Sequence, residues 1–427
     1  CKRVEMKYCK NCLYPETAKP TIFFDEKGFC SGCNYNESRK DEDVNWDERR
    51  ELFEDLVKKT KQERISRNNR YDCIIPVSGG KDSHFQVYVC KEVYGLNPLL
   101  VTYNHGFNNP SGNLNLQNLV EKSGCDAIRL TVGKDSSRKI AKHMLERVGD
   151  LEWHYHAGIM TLPFKVAVEK NIPVIIWGEH GFAELTGIVS LKEFVEFTNW
   201  KRIEHDMRGV NPEDLIGHNE ITEKDIDPYI FPTDEEILNT EVRGIYMSNY
   251  FDWDALKQVK KVIDVWGFNT VSYKRDRTFN LYAKLDDHAD EIHDYLKYLK
   301  FGYGRATDDA TTEIRKGRLD RQSGIGLVKQ YDTTTPRTLE GYLDFMQISK
   351  NDFYSIMEPQ RDKIAWSKNS KGVWELNNPI WEQEEHEISY DCEIFSEENK
   401  NLYYNEKNPP AKNKISILNN FPINFEW

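Results

Sequence analysis

The chain has 427 residues, 12% of them aromatic, and a formal net charge of −12. That length is enough for roughly two or three domains with a sizeable core, and the aromatic content excludes disorder over most of it. The acidic balance argues against a grip on long nucleic acid, and with no run of about 18 apolar residues the chain is expected not to span a membrane.

The opening CKRVEMKYCKNC (1–12) lacks the apolar core of a signal peptide. Four of the nine cysteines form two C-x2-C pairs, Cys9 with Cys12 and Cys30 with Cys33, separated by residues 13–29. Two such knuckles bring four thiolates into a tetrahedron, which points to a structural Zn²⁺, with an iron–sulfur cluster as the competing occupant. Cys73, Cys90, Cys125 and Cys392 are scattered, which fits buried thiols in a reducing cytosol rather than a disulfide framework. GFCSG (28–32) matches the nucleophile turn of a glutaminase, and Cys1 raises the N-terminal-nucleophile version. Both need a domain for which there is no room before residue 71, and Cys30 serves better as a metal ligand. Residues 1–40 are read as a zinc-ribbon module. Residues 41–70, with helical spacing in WDERRELFEDLVKKTKQER, are read as a linker helix.

From residue 71 the pattern alternates. Strands are predicted over YDCIIPV (71–77), NPLLVTYN (97–104), DAIRLTV (126–132) and IPVIIWG (172–178), with RGIYMSN (243–249) as a candidate fifth. Helices are predicted over 82–95, 114–124, 136–149 and 154–170, and an acidic, loop-rich insertion covers 207–241. This predicts an α/β domain at 71–253, built on an open parallel sheet covered on both faces. Residues 254–367 read as a mostly helical C-terminal region. Residues 368–427, rich in Asn, Glu and Lys, read as a peripheral tail.

Between the first strand and helix of that domain stands Ser78-Gly79-Gly80-Lys81-Asp82-Ser83. Glycines let backbone N–H groups converge on an anion, the helix start adds positive potential, and Lys81 and the hydroxyls add donors. The turn therefore predicts a phosphate site. It is not a Walker A loop, because position 75 is Ile75 and Lys81 is followed by Asp82. The order SGGxDS resembles the pyrophosphate loop of the ATP-pyrophosphatase (PP-loop) superfamily, whose members cleave ATP between the α and β phosphates. The resemblance implies that Val77, Ser78, Gly79, Gly80, Lys81, Asp82 and Ser83 hold the leaving pyrophosphate, with Lys81 on phosphate. Asp82 would orient the loop or reach Mg²⁺ through water. It also implies that TYNHGFNN (102–109), with Asn104 and His105, meets adenine or ribose. WGEHGFAE (177–184), with Gly178, Glu179 and His180, would approach phosphates, Mg²⁺ or the acceptor. Structural histidines at strand ends are the plain alternative for His105 and His180.

Three stretches in order, CLYPETAKPTIFFDEKGFCSGCNYNE (12–37), IPVSGGKDSHFQ (75–86) and GYGRATDDATTEIRKGRLDR (302–321), resemble the N-acetyl sugar amidotransferase family of bacterial surface-polysaccharide synthesis. The resemblance implies that ATP adenylylates the amide oxygen of an N-acetylated sugar and that ammonia then displaces AMP to give an acetamidino sugar. It implies a cytoplasmic enzyme using ATP, Mg²⁺ and structural Zn²⁺. A separate glutaminase and a cyclase-like synthase subunit would supply ammonia, with free ammonia left open. Arg305, counted with Lys81 and Asp82 as catalytic, is expected to meet phosphate or a sugar carboxylate, beside Asp308 and Asp309. A solvated helix start capped by Asp is the alternative for these three. Arg315, Arg318 and Arg321 recur at helical spacing, the pattern of an exposed charged face. Two other readings stay open. A tRNA-thiolating PP-loop enzyme needs a CxxC or cysteines at the sheet mouth, and Cys73, Cys90 and Cys125 make no spaced pair. A non-catalytic zinc-ribbon subunit would have no use for an intact SGGKDS.

Overall fold

The computed structural model describes residues 6–39, 44–104 and 106–410. Its first helices are α1 (Ser31–Ser38), rising from Cys30, and α2 (Trp46–Ser66), whose cap Asn45 accepts from the N–H groups of Asp47 and Glu48. The alternating stretch follows as β1 (Cys73–Pro76), α3 (Lys81–Tyr88), β2 (Pro98–Asn104), α4 (Pro110–Ser123), β3 (Ala127–Thr131), α5 (Lys134–Val148), α6 (Trp153–Lys170), β4 (Val174–Trp177), α7 (Gly181–Thr186) and β5 (Arg243–Tyr246).

The five strands form one parallel sheet in the order β3-β2-β1-β4-β5. The expected open parallel α/β architecture is thus present, with RGIY as the fifth strand. The short apolar runs of β1 and β4 are central and covered on both faces, as runs without polar alternation require. β3 alternates in exposure, as an edge strand does. Side chains segregate by the two-residue period. Ile75, Leu100 and Ile176 pack with Phe53 and Val57 of α2 on one face. Ile74, Val101 and Ile175 pack with Trp153 and Ala157 of α6 on the other. The chain leaves β1 toward β2 and β3, and later returns to its other side as β4. The crevice at the carboxyl ends between β1 and β4 is therefore the ligand position such a sheet offers.

Three segments are more integrated than their composition predicts. α2, read as a linker, contributes fully buried Phe53 to the sheet core. The acidic insertion puts Met207, Leu215, Ile221, Ile226 and Tyr229 into the core on the opposite face. The C-terminal region is helical as expected, with helices Ala255–Trp266, Ala289–Phe301, Arg305–Arg315 and Arg321–Asp332. The tail does not stay peripheral over its described part. Ile380, Ile394, Leu402 and Tyr403 are buried with Val259, Phe279, Ala306 and Ile325, and the Tyr403 hydroxyl donates to Glu313 Oε1 at 3.0 Å. Its apolar anchors are few and aperiodic, so a polar composition hides them. The N-terminal module sits on these helices as well, through Leu13 in the same core and a Tyr14 hydroxyl donating to Asp308 Oδ1 at 2.9 Å. No helix among the described residues is long and apolar enough to cross a membrane.

A core role for the tail predicts that Ile394→Ala lowers unfolding free energy by about 2–5 kcal/mol in urea titration. A peripheral segment would give a change within about 0.5 kcal/mol.

Candidate functional site

β1 ends at Pro76 and α3 begins at Lys81, so four residues turn the chain inside the crevice. Val77 is still tied to the sheet, its N–H donating to the Val101 carbonyl at 2.9 Å. Gly79 has φ +90°, and a Cβ there would stand 2.7 Å from the Leu116 backbone nitrogen, so glycine is required on both counts. Hydroxyls close the turn. The Ser78 N–H donates to Ser83 Oγ at 3.0 Å, and the Gly80 N–H donates to Ser78 Oγ at 3.3 Å. Gly80 caps α3 without a side chain, so no side-chain acceptor takes the first-turn N–H groups from that position. Lys81 is buried, its Nζ 2.6 Å from Asp82 Oδ1.

This turn forms one wall of a cavity of about 310 Å³, within the range of small-ligand sites. The facing wall comes from far along the chain and carries Lys284, Asp286, Arg305, Asp308 and Asp309. Asp286 Oδ1 is buried with no hydrogen-bond partner, and burial together with the charge of Asp290 pushes its carboxyl up to about 7. Glu179, at the end of β4, also lines the cavity. The enclosing crevice walls and Asp82 push its carboxyl up to about 7, although the side chain itself stays reachable by solvent. Two acids poised near neutrality thus stand beside a buried lysine.

Arg305 opens the helix Arg305–Arg315, and an aspartate does cap its start, but that start is buried and not solvated. Gly304 is the cap residue, and the N–H groups of Gly304 and Ala306 donate to the buried Asp332 carboxylate at 2.8 and 3.0 Å. Arg305 donates from Nε and Nη2 to Asp294, both at 3.2 Å. Burial opposes the charge on Asp294, but Arg305, Lys284 and Lys297 outweigh it and hold its carboxyl well below the usual range. Asp308 is buried, accepting from Tyr14 and Lys297. Asp309 accepts from the Thr278 hydroxyl, and its enclosed position pushes its carboxyl up to about 6.

Cys9, Cys12, Cys30 and Cys33 converge in a buried cluster that can hold a metal ion. Cys9 and Cys33 Sγ atoms are 3.7 Å apart and those of Cys12 and Cys30 3.6 Å. These distances match the edge of about 3.8 Å for a tetrahedron of metal–sulfur bonds near 2.3 Å. Asn11 Nδ2 donates to Cys33 Sγ at 3.3 Å and the Cys30 N–H to Cys9 Sγ at 3.2 Å. Cys30 therefore belongs to this cluster and not to a glutaminase nucleophile turn.

The three arginines do not form an exposed charged face. Arg315 is buried, its Nη2 3.2 Å from Cys30 Sγ and 3.7 Å from Cys12 Sγ. Its Nη1 donates to the Leu185 and Glu184 carbonyls at 2.9 and 3.1 Å, and the residue also borders the cavity. Arg318 is buried against Asp254 and Glu313, at 2.9 and 2.6 Å. Arg321 donates to the Cys9 carbonyl at 2.8 Å and pairs with Glu384 at 2.6 Å.

The other residues chosen from sequence fall outside the cavity wall. His180 is buried edge-on to Tyr246, with ring centroids 4.8 Å apart, and borders a separate recess with Tyr35 and Asn249. Burial lowers its pKa to about 4, so it is a neutral packing histidine. A Cβ on Gly178 would stand 2.7 Å from Gln86 Nε2, so that glycine serves a close approach to α3. Asn104 ends β2, accepting from Arg129 Nη2 at 2.5 Å. His105 lies outside the described residues. Sequence reasoning missed Asp286, Lys284 and Asp294; the one available signal was the acidic run KLDDHADEIHD (284–294).

Residues 271–380, which carry the facing wall of the cavity, match the family model described as LPS biosynthesis protein WbpG-like, C-terminal domain. No curated protein matches. Among solved structures, the chain is similar to the NH3-dependent NAD synthetase of Campylobacter jejuni at 14% identity and TM-score 0.25, covering 53% of this chain and 95% of that one. It is similar to the NMN synthetase of Francisella tularensis at 11% identity and TM-score 0.26, covering 52% and 93%. It is also similar to the U34-tRNA thiolase NcsA of Methanococcus maripaludis, described with its [4Fe-4S] cluster, at 14% identity and TM-score 0.21, covering 78% and 90%.

Replacing Arg315 by Met removes the guanidinium donors from two sulfurs. Loss of metal to a chromogenic chelator should become about 10–100-fold faster, the usual effect of deleting a group that orients ligands. An unchanged release rate would mean that Arg315 does not support the cluster.

Proposed function

We propose that this protein is an ATP-dependent, AMP-forming amidotransferase acting on an N-acetylated sugar in the biosynthesis of lipopolysaccharide O-antigen or a related surface glycan. One observation carries the reading: the Ser78–Ser83 turn and the segment similar to the WbpG-like C-terminal domain line the same cavity from opposite sides. A phosphate-gripping turn facing a sugar-pathway segment supports ATP chemistry performed on a sugar.

The amide oxygen of the acetamido group attacks the α-phosphorus, and the bond to the β,γ-diphosphate breaks. Ammonia then adds to the imidate carbon, the C–O bond to AMP breaks, and an acetamidino group remains. An amide oxygen leaves poorly, so its conversion to a phosphate ester supplies the leaving group. The Gly79–Lys81 backbone and the Lys81 ammonium would take the charge developing on pyrophosphate. The orphaned Asp286 Oδ1, with Asp82 and Glu179 on the same cavity, fits Mg²⁺, and these residues would hold it. Bound there, Mg²⁺ would neutralise the leaving diphosphate. Arg305, fixed by Asp294, would present its remaining edge to phosphate or a sugar carboxylate. The cysteine cluster fits structural Zn²⁺, and Ser78, Gly80 and Ser83 would complete the diphosphate cradle. We place the reaction in the cytoplasm, with a separate glutaminase and a cyclase-like synthase subunit as the ammonia source.

The thiolation alternative has less support. Cys73, Cys90 and Cys125 are buried in the sheet core, and burial pushes each thiol up, against the thiolate that sulfur transfer needs.

The protein incubated with ATP, ammonia and N-acetylated nucleotide sugars should release AMP and pyrophosphate only when a sugar is present. Lys81→Ala should reduce that rate by about 100-fold or more with unchanged circular dichroism. ADP as product, or AMP release that needs tRNA and a sulfur donor instead of a sugar, would overturn the assignment.

The Asp286 carboxyl also sets a pH dependence. Below about 7 it is protonated and holds a cation poorly; above that it is charged. Mg²⁺·ATP affinity measured by calorimetry should therefore rise between about pH 6 and 8, and Asp286→Asn should flatten the rise.

A further inference from the structure

A second set of metal-ligating side chains lies outside the cavity wall. Glu152 caps α6 and His156 stands on its first turn, four residues on, while His293 comes from the helix Ala289–Phe301. One ligand atom from each of the three lies within 4.8 Å of the others. His293 Nδ1 is 3.5 Å from Glu152 Oε2. A tetrahedral cation with bonds of about 2.0–2.1 Å to nitrogen and oxygen has edges near 3.4 Å, so the Glu152–His293 pair already stands at the separation one ion would set. The two imidazoles meet edge to face with centroids 5.1 Å apart.

Glu152 Oε2, His156 Nδ1 and His293 Nδ1 are all buried without a hydrogen-bond partner, and Glu152 is 3% exposed. Buried polar atoms are normally satisfied, and three orphans in one cluster require a common explanation. A charged His293 bridging carboxylates is the simplest rival, since Asp150 Oδ1 is also 3.4 Å from its Nδ1. Asp150 is already engaged, however, accepting from the Glu152 N–H and from Arg208 Nε, both at 2.9 Å. A protonated His293 would also still leave His156 Nδ1 with no partner. A bound cation can satisfy both rings and the carboxylate together.

We propose that Glu152, His156 and His293 bind a divalent transition metal of the Zn²⁺ class. Two imidazoles and one carboxylate suit such an ion better than Mg²⁺ or Ca²⁺, which prefer all-oxygen sites. Three protein ligands leave a fourth position for water. The ion would join α6 of the α/β unit to the helix Ala289–Phe301. That helix also carries Asp290 and Asp294, which lie 3.6 and 3.7 Å from the cavity residue Lys284. The metal would thus fix the wall that faces the phosphate turn. The inference rests on these side chains alone and does not require the amidotransferase reading.

The test is metal stoichiometry of the full chain. The purified protein should hold about two transition-metal ions, one in the cysteine cluster and one here. Cobalt loading should give thiolate-to-metal charge-transfer bands from the first site, and from the second only d–d bands without sulfur character. Cys9→Ser should remove the former and keep the latter. His156→Ala and His293→Ala, checked by circular dichroism, should each lose the second ion and keep the thiolate bands. Folded histidine variants that retain the full metal complement would overturn the proposal. Should the variants fail to fold, the wild-type cobalt titration decides: saturation at one equivalent with thiolate bands alone would overturn it equally.

Discussion

The guanidinium of Arg315 is the contact on which the arrangement of the crevice depends. It meets sulfurs of the cysteine cluster, carbonyls at the end of α7 and the cavity itself. A buried charge with no partner costs several kcal/mol, so Arg315 is stable there only while thiolates and carbonyls surround it. A metal-loaded cluster would in turn favour a neighbouring cation, because four thiolates and a divalent metal would carry net negative charge. Each group makes the other's burial tolerable. Together they hold the N-terminal module, the β4–α7 exit and the C-terminal helices in one position.

The cavity so enclosed mixes charges that do not cancel. Lys81 leans on Asp82, Arg305 on Asp294 and Lys284 on Asp290 and Asp294, while Asp286 and Glu179 stand near neutrality. A polyanion alone would be repelled by these acids, and a cation alone by the lysine and arginine. A metal-complexed phosphate chain would satisfy both sets, in a low-dielectric setting that strengthens each contact. Gly79 lets the Ser78–Ser83 turn bend tightly into the crevice, where its Ser78 and Gly80 N–H groups are held by its own hydroxyls.

The helical region helps to enclose the cavity and is not a separate appendage. Tyr14 donates to Asp308 from a module almost 300 positions away in sequence. The tail residues Ile394 and Tyr403 pack beneath the helix that carries Arg305. A chain with such long-range closure places precise chemistry at a seam between segments, and its cost is dependence on every anchor along the seam. Glu152, His156 and His293 sit at another point of that seam.

What could be read from the sequence alone was whatever is encoded locally. Apolar runs without polar alternation specify buried strands, Ser78–Ser83 specifies a glycine turn between strand and helix, and paired C-x2-C knuckles specify a cluster of four sulfurs, because each depends on residues a few positions apart. The peripheral tail and the exposed arginine face were misread for one shared reason: polarity and periodicity describe a segment, while burial depends on what another segment brings to it. The same limit applies to the site. The place of His180 outside the cavity, the placing of Asp286 opposite Gly80, the sulfur contacts of Arg315 and the meeting of His156 with His293 were settled only when parallel crossovers and the returning C-terminal helices brought together residues far apart in the chain, as far as 303 positions for Arg315 and Cys12.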